Sequence, residues 1–342
     1  MRKINEENER IKRKFLLYKR EADGKDAATI AKIASALLRF EKSINYKSFK
    51  SFNHEQVASF KRKLTREKNE RTGKPLGKST IDAILRELRS FIRFLAGQQG
   101  YKSRIAYCDA AYFNNNAKDS RVAHAHRNTR YPTLEQAKHA FNQMPAETDI
   151  EFRNKALFAF IMLTGVRVTA ASSLKLKHID LTDGHVFQDA REVRTKNSKT
   201  FTTWFLPIDS DYKTCFYAWV NYLRTEKLFG NDDALFPKPD IQHVKGKGFQ
   251  IVGFSRDCYA GSTKIRDIIK QAFNNAGLTA YAPHSFRKTI VSWGTKAYPD
   301  HISWKAFCLN IGHNDTATAI HSYLPISPEQ QANLIKGKQN RR

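Results

Sequence analysis

The chain reads as mainly α, with an N-terminal helical domain and a second α-rich domain that carries one small antiparallel β-sheet. Three observations predict this. Apolar residues recur at helical spacing through residues 28–99 and again beyond 132. The stretch between, residues 106–131, has no clear periodicity. Strand-like composition is confined to one run near 185–208, broken by a polar turn. At 342 residues the chain is also too long for one typical domain, and two is the natural expectation.

The elements follow in order. Residues 1–24 form a basic, charged segment, "MRKINEENERIKRKFLLYKR" at its start, without the apolar core and small residues of a secretory signal. Residues 25–105 make the helical domain. "AATIAKIASALLRFEKSI" places Ile30, Ile33, Leu37, Leu38 and Phe40 on roughly one face. "NHEQVASFKRKLTREK" opens on an Asn53 cap and repeats apolar residues at Val57, Phe60 and Leu64. After a turn-rich start, Ile81, Ile84, Leu85, Leu88, Phe91 and Leu95 follow at helical spacing, and Gly97 stops the helix. Residues 106–131, rich in Asn, Ala, His and Arg, read as an interdomain linker.

The second domain spans 132–342. Thr133 and Gln136 suit a capping box. "DIEFRNKALFAFIMLTG" is a strongly apolar helix ended by Gly165, and "VRVTAASSLKLKHIDL" a second, short one. "HVFQDAREVRTKNSKTFTTWFLPI" gives two strands joined by a polar turn at 195–200. Four further stretches, beginning at Asp211, Ser262, Ser285 and Ile302, return to helix.

Composition narrows the partner. Lys plus Arg number 59 and Asp plus Glu 33, so the formal charge is 59 − 33 = +26. An excess of that size points to a polyanion, nucleic acid or an acidic membrane surface. No apolar run is long enough to span a membrane. Arg62, Arg66, Arg86, Arg89 and Arg93 lie on the two helices between 53 and 96, where they suit a clamp on DNA phosphates better than a merely solvated face. Cys108, Cys215, Cys258 and Cys308 are scattered, with no C-x-x-C and no His at metal spacing, which suits reduced thiols in the cytoplasm. No P-loop and no carboxylate cluster appears, so neither a cofactor nor a catalytic metal is expected.

Five short signals carry chemistry: Arg167 in "TGVRVTA", Lys196 and Lys199 in "TKNSKT", His284 and Arg287 in "HSFR", His313 in "NIGHND", and Tyr323 in "IHSYLPI". Each alone has a structural explanation. Arg167 could cap a carbonyl, His284 could open a helix, His313 could sit in a turn, and Tyr323 is one of 13 tyrosines. Together they suit a phosphodiester. Two guanidiniums can follow the charge that builds on phosphorus during attack. A phenol with pKa about 10 can act as a nucleophile where a base or a strong positive field assists it.

This ordered set resembles the tyrosine recombinase (integrase) family: Arg, Lys on a β-hairpin, His-x-x-Arg, Gly-His, then Tyr. The match covers about 132–330, and the 25–105 region is similar in layout to the family's core-binding (SAM-like) domain. Two positions depart from the pattern. Ala170 stands where an acidic residue often follows the first Arg by three, and Lys288 where His often follows the second. The resemblance implies a site-specific DNA recombinase without cofactor. Tyr323 would form a 3′-phosphotyrosine, Arg167 and Arg287 would hold the phosphate, His284 would act as acid or base, and His313 would hydrogen-bond the phosphate. Either Lys196 or Lys199 would protonate the leaving 5′-oxygen, with a slight preference for Lys199 from its flanking polar residues. The implied partners are double-stranded DNA sites, three further copies of the chain in a homotetramer, and DNA-bending accessory proteins, in the cytoplasm with the nucleoid. A DNA-binding protein that cuts nothing, or a type IB topoisomerase-like enzyme that relaxes DNA, are the alternatives.

Overall fold

A computed structural model describes residues 4–70, 72–125, 130–313, 316 and 332. The chain divides into two compact units, residues 1–126 and 127–342.

The first unit is a helical bundle: α1 (Glu6–Glu21), α2 (Ala27–Ser43), α3 (His54–Arg66), α4 (Lys78–Ala96) and α5 (Ala117–His124). α3 carries the Asn53 cap that the sequence suggests. The Asn53 side chain accepts from the Gln56 N–H, and Gln56 answers in a capping box. The apolar stripes of α2, α3 and α4 meet in one core, with Phe40, Phe60, Leu64, Leu88 and Phe91 almost fully enclosed. Two expectations need correction. Within 1–24, α1 is part of the bundle, because Ile11 and Phe15 are buried in it and the Asn8 amide reaches Glu41 across 2.9 Å. Lys12 neutralises the same Glu41. Within 106–131, residues Tyr107–Phe113 form a 3₁₀ helix that buries Ala110 and Phe113, and α5 follows it. The 3₁₀ period of three spaces buried residues as i, i+3, which hides them from a search at 3.6. Arg62, Arg66, Arg86 and Arg93 are exposed, and Arg89 is half-buried, donating to the Asn114 side chain at 2.8 Å.

The second unit begins with α6 (Leu134–Asn142), held by the Thr133–Gln136 capping box. Next comes α7 (Asp149–Thr164), whose second half from Ala156 to Leu163 is apolar on all sides because it is buried on all sides. It ends at Gly165, whose φ of +58° places it in the left-handed region. The short helix expected after it is a single turn, α8 (Val168–Ala171), and the chain then enters β1 (Ile179–Asp180). β2 (His185–Gln188) and β3 (Phe201–Trp204) complete a three-stranded antiparallel sheet in the order β1-β2-β3, with Gln188 opposite Phe201. α9 (Ser210–Thr225) packs on α7 through Phe216 and Trp219. A second hairpin follows, β4 (Pro239–Val244) and β5 (Gly248–Phe254), which the sequence reading does not anticipate. α10 (Thr263–Asn275), α11 (Pro283–Ala297) and α12 (His301–Asn310) close the described part. None of the described helices is long and apolar enough to cross a membrane.

Candidate active site

The site is assembled by the ends of helices. α7 stops at Gly165, and two residues later Arg167 is the N-cap of α8, half-buried, with no ion pair among the described residues. α11 starts at Pro283, whose fixed φ and missing N–H suit a first helical position. Its N-cap, Ala282, offers no side-chain hydrogen bond, so the positive end of the helix opens onto the adjacent space. That space is a cleft of about 340 Å³. Arg167, Thr169, Arg266, Ala282, His284 and Arg287 are among its lining residues, and none of the lining residues is acidic.

Arg287 is the hub. It is buried, at 3% exposure, one turn into α11. One terminal nitrogen donates to the Gly165 carbonyl at 2.6 Å. The other donates to the Ile311 carbonyl and lies 3.1 Å from His313 Nε2. One guanidinium thus joins the segment ending in Arg167, its own helix, and the segment ending in His313. The planar fork of arginine allows this, and a lysine ammonium has no such geometry.

His313 is placed by the end of α12. Gly312 has φ +78°, and the His313 N–H closes the helix on the Cys308 carbonyl at 2.9 Å. A Cβ on Gly312 would lie 2.7 Å from the ring of Phe201, the first residue of β3. β3 is docked to the same helix end. Thr203 Oγ1 donates to the Asn310 carbonyl at 2.8 Å, and the Trp204 N–H to the Asn310 side chain at 2.7 Å. The sheet therefore carries the lysine turn to His313.

That turn runs from residue 189 to 200, longer than the sequence suggests. Asn197 and Ser198, between the two lysines, both lie in the left-handed region at φ +59° and +47°. Such backbone persists only where its surroundings over-determine it. Here Asp189 holds Arg191, Thr200 accepts from the Ala190 N–H, and Arg194 donates to the carbonyls of Ser172, Tyr259 and Ala260. Lys196 is exposed, whereas Lys199 is half-buried with its ammonium 5.1 Å from the centre of the Phe201 ring.

The histidines record the positive field. Burial, then the charges of Arg287, Arg167, Lys196 and Lys199, push His313 down to about 4, so it is neutral at pH 7. His284, at the cleft rim, is also lowered, by crowding first and then by Arg287, Lys288, Arg167 and Lys196. Four separate segments of chain thus act on one small volume.

Residues 133–329 match the model described as the phage integrase family. The chain belongs to that family. It is a tyrosine recombinase, an enzyme of DNA strand transfer. It is 22% identical over 283 residues to a tyrosine recombinase XerC of Halalkalibacterium halodurans, a match covering 81% of each chain. Its fold is similar to that of XerH site-specific recombinase bound to palindromic difH substrate in a post-cleavage complex. That match has a TM-score of 0.62 and 16% identity, covering 95% of this chain and 82% of the other. It is likewise similar to a lambda integrase tetramer bound to a Holliday junction, with a TM-score of 0.59 and 14% identity, covering 91% and 74%.

Of the residues this family pattern singles out, Arg167, His284 and Arg287 line one cleft, and His313 touches Arg287. Lys196 and Lys199 lie on the turn whose charges reach His313. Tyr323 lies outside the described residues. The two departures from the pattern are both enclosed: Ala170 at 1% and Lys288 at 6% exposure. Burial lowers the Lys288 pKa. Sequence reasoning missed Arg266, an arginine within an ordinary amphipathic helix that carries no motif.

Proposed function

We propose that this tyrosine recombinase performs site-specific recombination through a covalent 3′-phosphotyrosine intermediate on Tyr323. The observation that carries the reading is the Arg287 guanidinium, which ties the Arg167, His284-x-x-Arg287 and His313 segments together at a cleft without acidic lining. A bound phosphodiester would meet Arg167, Arg287 and the open N-terminus of α11, donors already aimed before charge develops on phosphorus.

The steps balance without an added cofactor. The Tyr323 oxygen attacks phosphorus and loses its proton to His284, which its surroundings keep neutral and able to accept. The bond from phosphorus to the 5′-oxygen breaks, and a lysine ammonium protonates the departing oxygen. Lys196 and Lys199 both remain candidates for that role, and Lys196 suits it because it is exposed and its charge bears on both His284 and His313. Neutral His313, fixed against Arg287, donates a hydrogen bond to a nonbridging oxygen. A 5′-hydroxyl from a second duplex then attacks the phosphotyrosine and gives its proton to the lysine, while the bond from phosphorus to the Tyr323 oxygen breaks and His284 returns the proton to that oxygen, so the phosphodiester is restored and no bond energy is lost. The tetrameric neighbour on a Holliday junction supports a homotetramer holding two sites. Exposed arginines of α3 and α4 would add backbone contacts to the same DNA.

The test is covalent capture on nicked duplexes, from which the cleaved product diffuses away. The protein should form a denaturation-resistant adduct. Tyr323→Phe should bind the same DNA with unchanged affinity and form none. An adduct that persists in the phenylalanine variant would refute the assignment.

A further inference from the structure

We propose that Arg266 is a third phosphate-gripping arginine of the cleft, a positioning residue for the DNA strand that is cut. The inference rests on the strand-transfer reading above and deepens it.

The placement comes from α10. Ile265, Ile268, Ile269, Ala272 and Phe273 are buried in the core of the second unit, which fixes the rotation of the helix. Arg266 follows Ile265 on the flank of that face. It is exposed and lines the same cleft as Arg167, His284 and Arg287.

Among the described residues nothing accounts for a cation there. Positions three and four residues away along α10 are Ser262, Thr263, Ile269 and Lys270. None is acidic, and Lys270 repels, so the helix offers Arg266 no stabilising partner. Among the described residues its side chain makes no ion pair. The cleft thus gathers three guanidiniums with no acidic lining residue to offset them. Like charges so placed are favourable only when an anion joins them.

The donor arrangement points the same way. Arg287 commits both terminal nitrogens to the Gly165 and Ile311 carbonyls. Arg167 and Arg266 face the cleft from different elements without such backbone acceptors among the described residues. A pair of guanidiniums from two different elements can hold a phosphate, or two successive phosphates of one strand, in fixed register. In a DNA strand the phosphates recur every ~3.4 Å along the axis, so the scissile phosphate and its neighbours are the ones within reach.

The test is a coupling cycle on a duplex site selected from random sequence by covalent capture. Single neutral methylphosphonates replace the scissile phosphate or either neighbour. On unmodified DNA, Arg266→Ala should slow adduct formation roughly 10- to 100-fold, the range of a hydrogen bond to a charged group. Arg266→Lys should keep part of the rate. At one of the three positions the methylphosphonate should slow the original protein and erase its advantage over Arg266→Ala to within about twofold. Erasure at the scissile position assigns Arg266 to the reacting phosphate, and erasure at a neighbour to the adjoining backbone. An unchanged rate in Arg266→Ala, or full additivity at all three positions, overturns the proposal. A second measurement is independent of cleavage. Arg266→Ala should reduce the log–log salt slope of binding to duplex DNA by about 0.9. If the unaltered protein forms no adduct on any DNA, the phosphotyrosine reading fails instead, and the salt slope alone decides Arg266: an unchanged slope sinks it.

Discussion

Substituting Gly312 by Ala should disable the site without touching a catalytic group. Two costs arise. The first is conformational: at φ +78° a Cβ crowds its own carbonyl, a penalty of about 1–2 kcal/mol. The second is steric. The new methyl would lie 2.7 Å from the Phe201 ring, so restoring a 3.4 Å contact needs a retreat of 3.4 − 2.7 = 0.7 Å. Overpacking of that kind costs about 1–3 kcal/mol. Together they come to about 2–5 kcal/mol. For a unit covering residues 127–342 this lowers the melting temperature by about 4–20 °C. The displaced ring carries the lysine turn, and the strained residue precedes His313. Misplacement by a large fraction of an ångström should therefore slow adduct formation more than tenfold, with DNA affinity little changed. Gly277→Ala is the control, since Gly277 has φ +70° and nothing within 4 Å of its added Cβ. It should show the conformational cost alone. Phe201→Leu combined with Gly312→Ala should recover part of the difference. The reasoning is refuted if Gly312→Ala melts and cleaves like Gly277→Ala.

Three further outcomes follow from the site. His313 has its pKa depressed from 6.5 to about 4, so the unfolded chain binds its proton first. Stability should fall as pH drops from about 6.5 to 4, by up to about 3 kcal/mol at 1.36 kcal/mol per unit, and level off below. Denaturant titrations of His313→Gln should show a shallower acid limb, and an identical limb would refute the buried neutral state. Cleavage should continue in excess EDTA, because in the proposed mechanism arginines, lysines and histidines would do the charge work that a metal ion does elsewhere. Arrest of cleavage by chelation, with DNA binding intact, would overturn that mechanism. Finally, replacing the leaving 5′-oxygen by sulfur removes the need for a general acid. Lys196→Ala should be slow on ordinary DNA and largely restored on the sulfur substrate, whereas Lys199→Ala should show one modest defect on both. Restoration of Lys199→Ala instead would reverse the two roles.

The sequence exposes what is carried by side-chain identity and order, and conceals what is carried by the backbone. Arg167, His284, Arg287 and His313 are legible because their side chains suit a phosphate and they follow one another in the order of the family pattern. Their mutual positions are not, because Arg287 finds them through the carbonyls of Gly165 and Ile311, and a carbonyl leaves no mark in a sequence. Long helices such as α4 and α7 are legible because their apolar period is sustained. α1 is hidden, since amid charge it buries only Ile11 and Phe15 fully in the core, and its polar network is closed by Glu41 of α2. The hairpin β4–β5 is hidden for another reason. Its apolar pair Ile241–Ile251 and its aromatic pair His243–Phe249 face outward, so alternation there marks no core. Gly312 is the instructive intermediate. In the sequence it is merely the residue before a motif histidine. In the fold a left-handed turn, a strand end and a helix end coincide there. A motif position can thus be essential for the shape it permits while contributing no chemistry, which is why its loss should impair cleavage while leaving DNA affinity almost untouched.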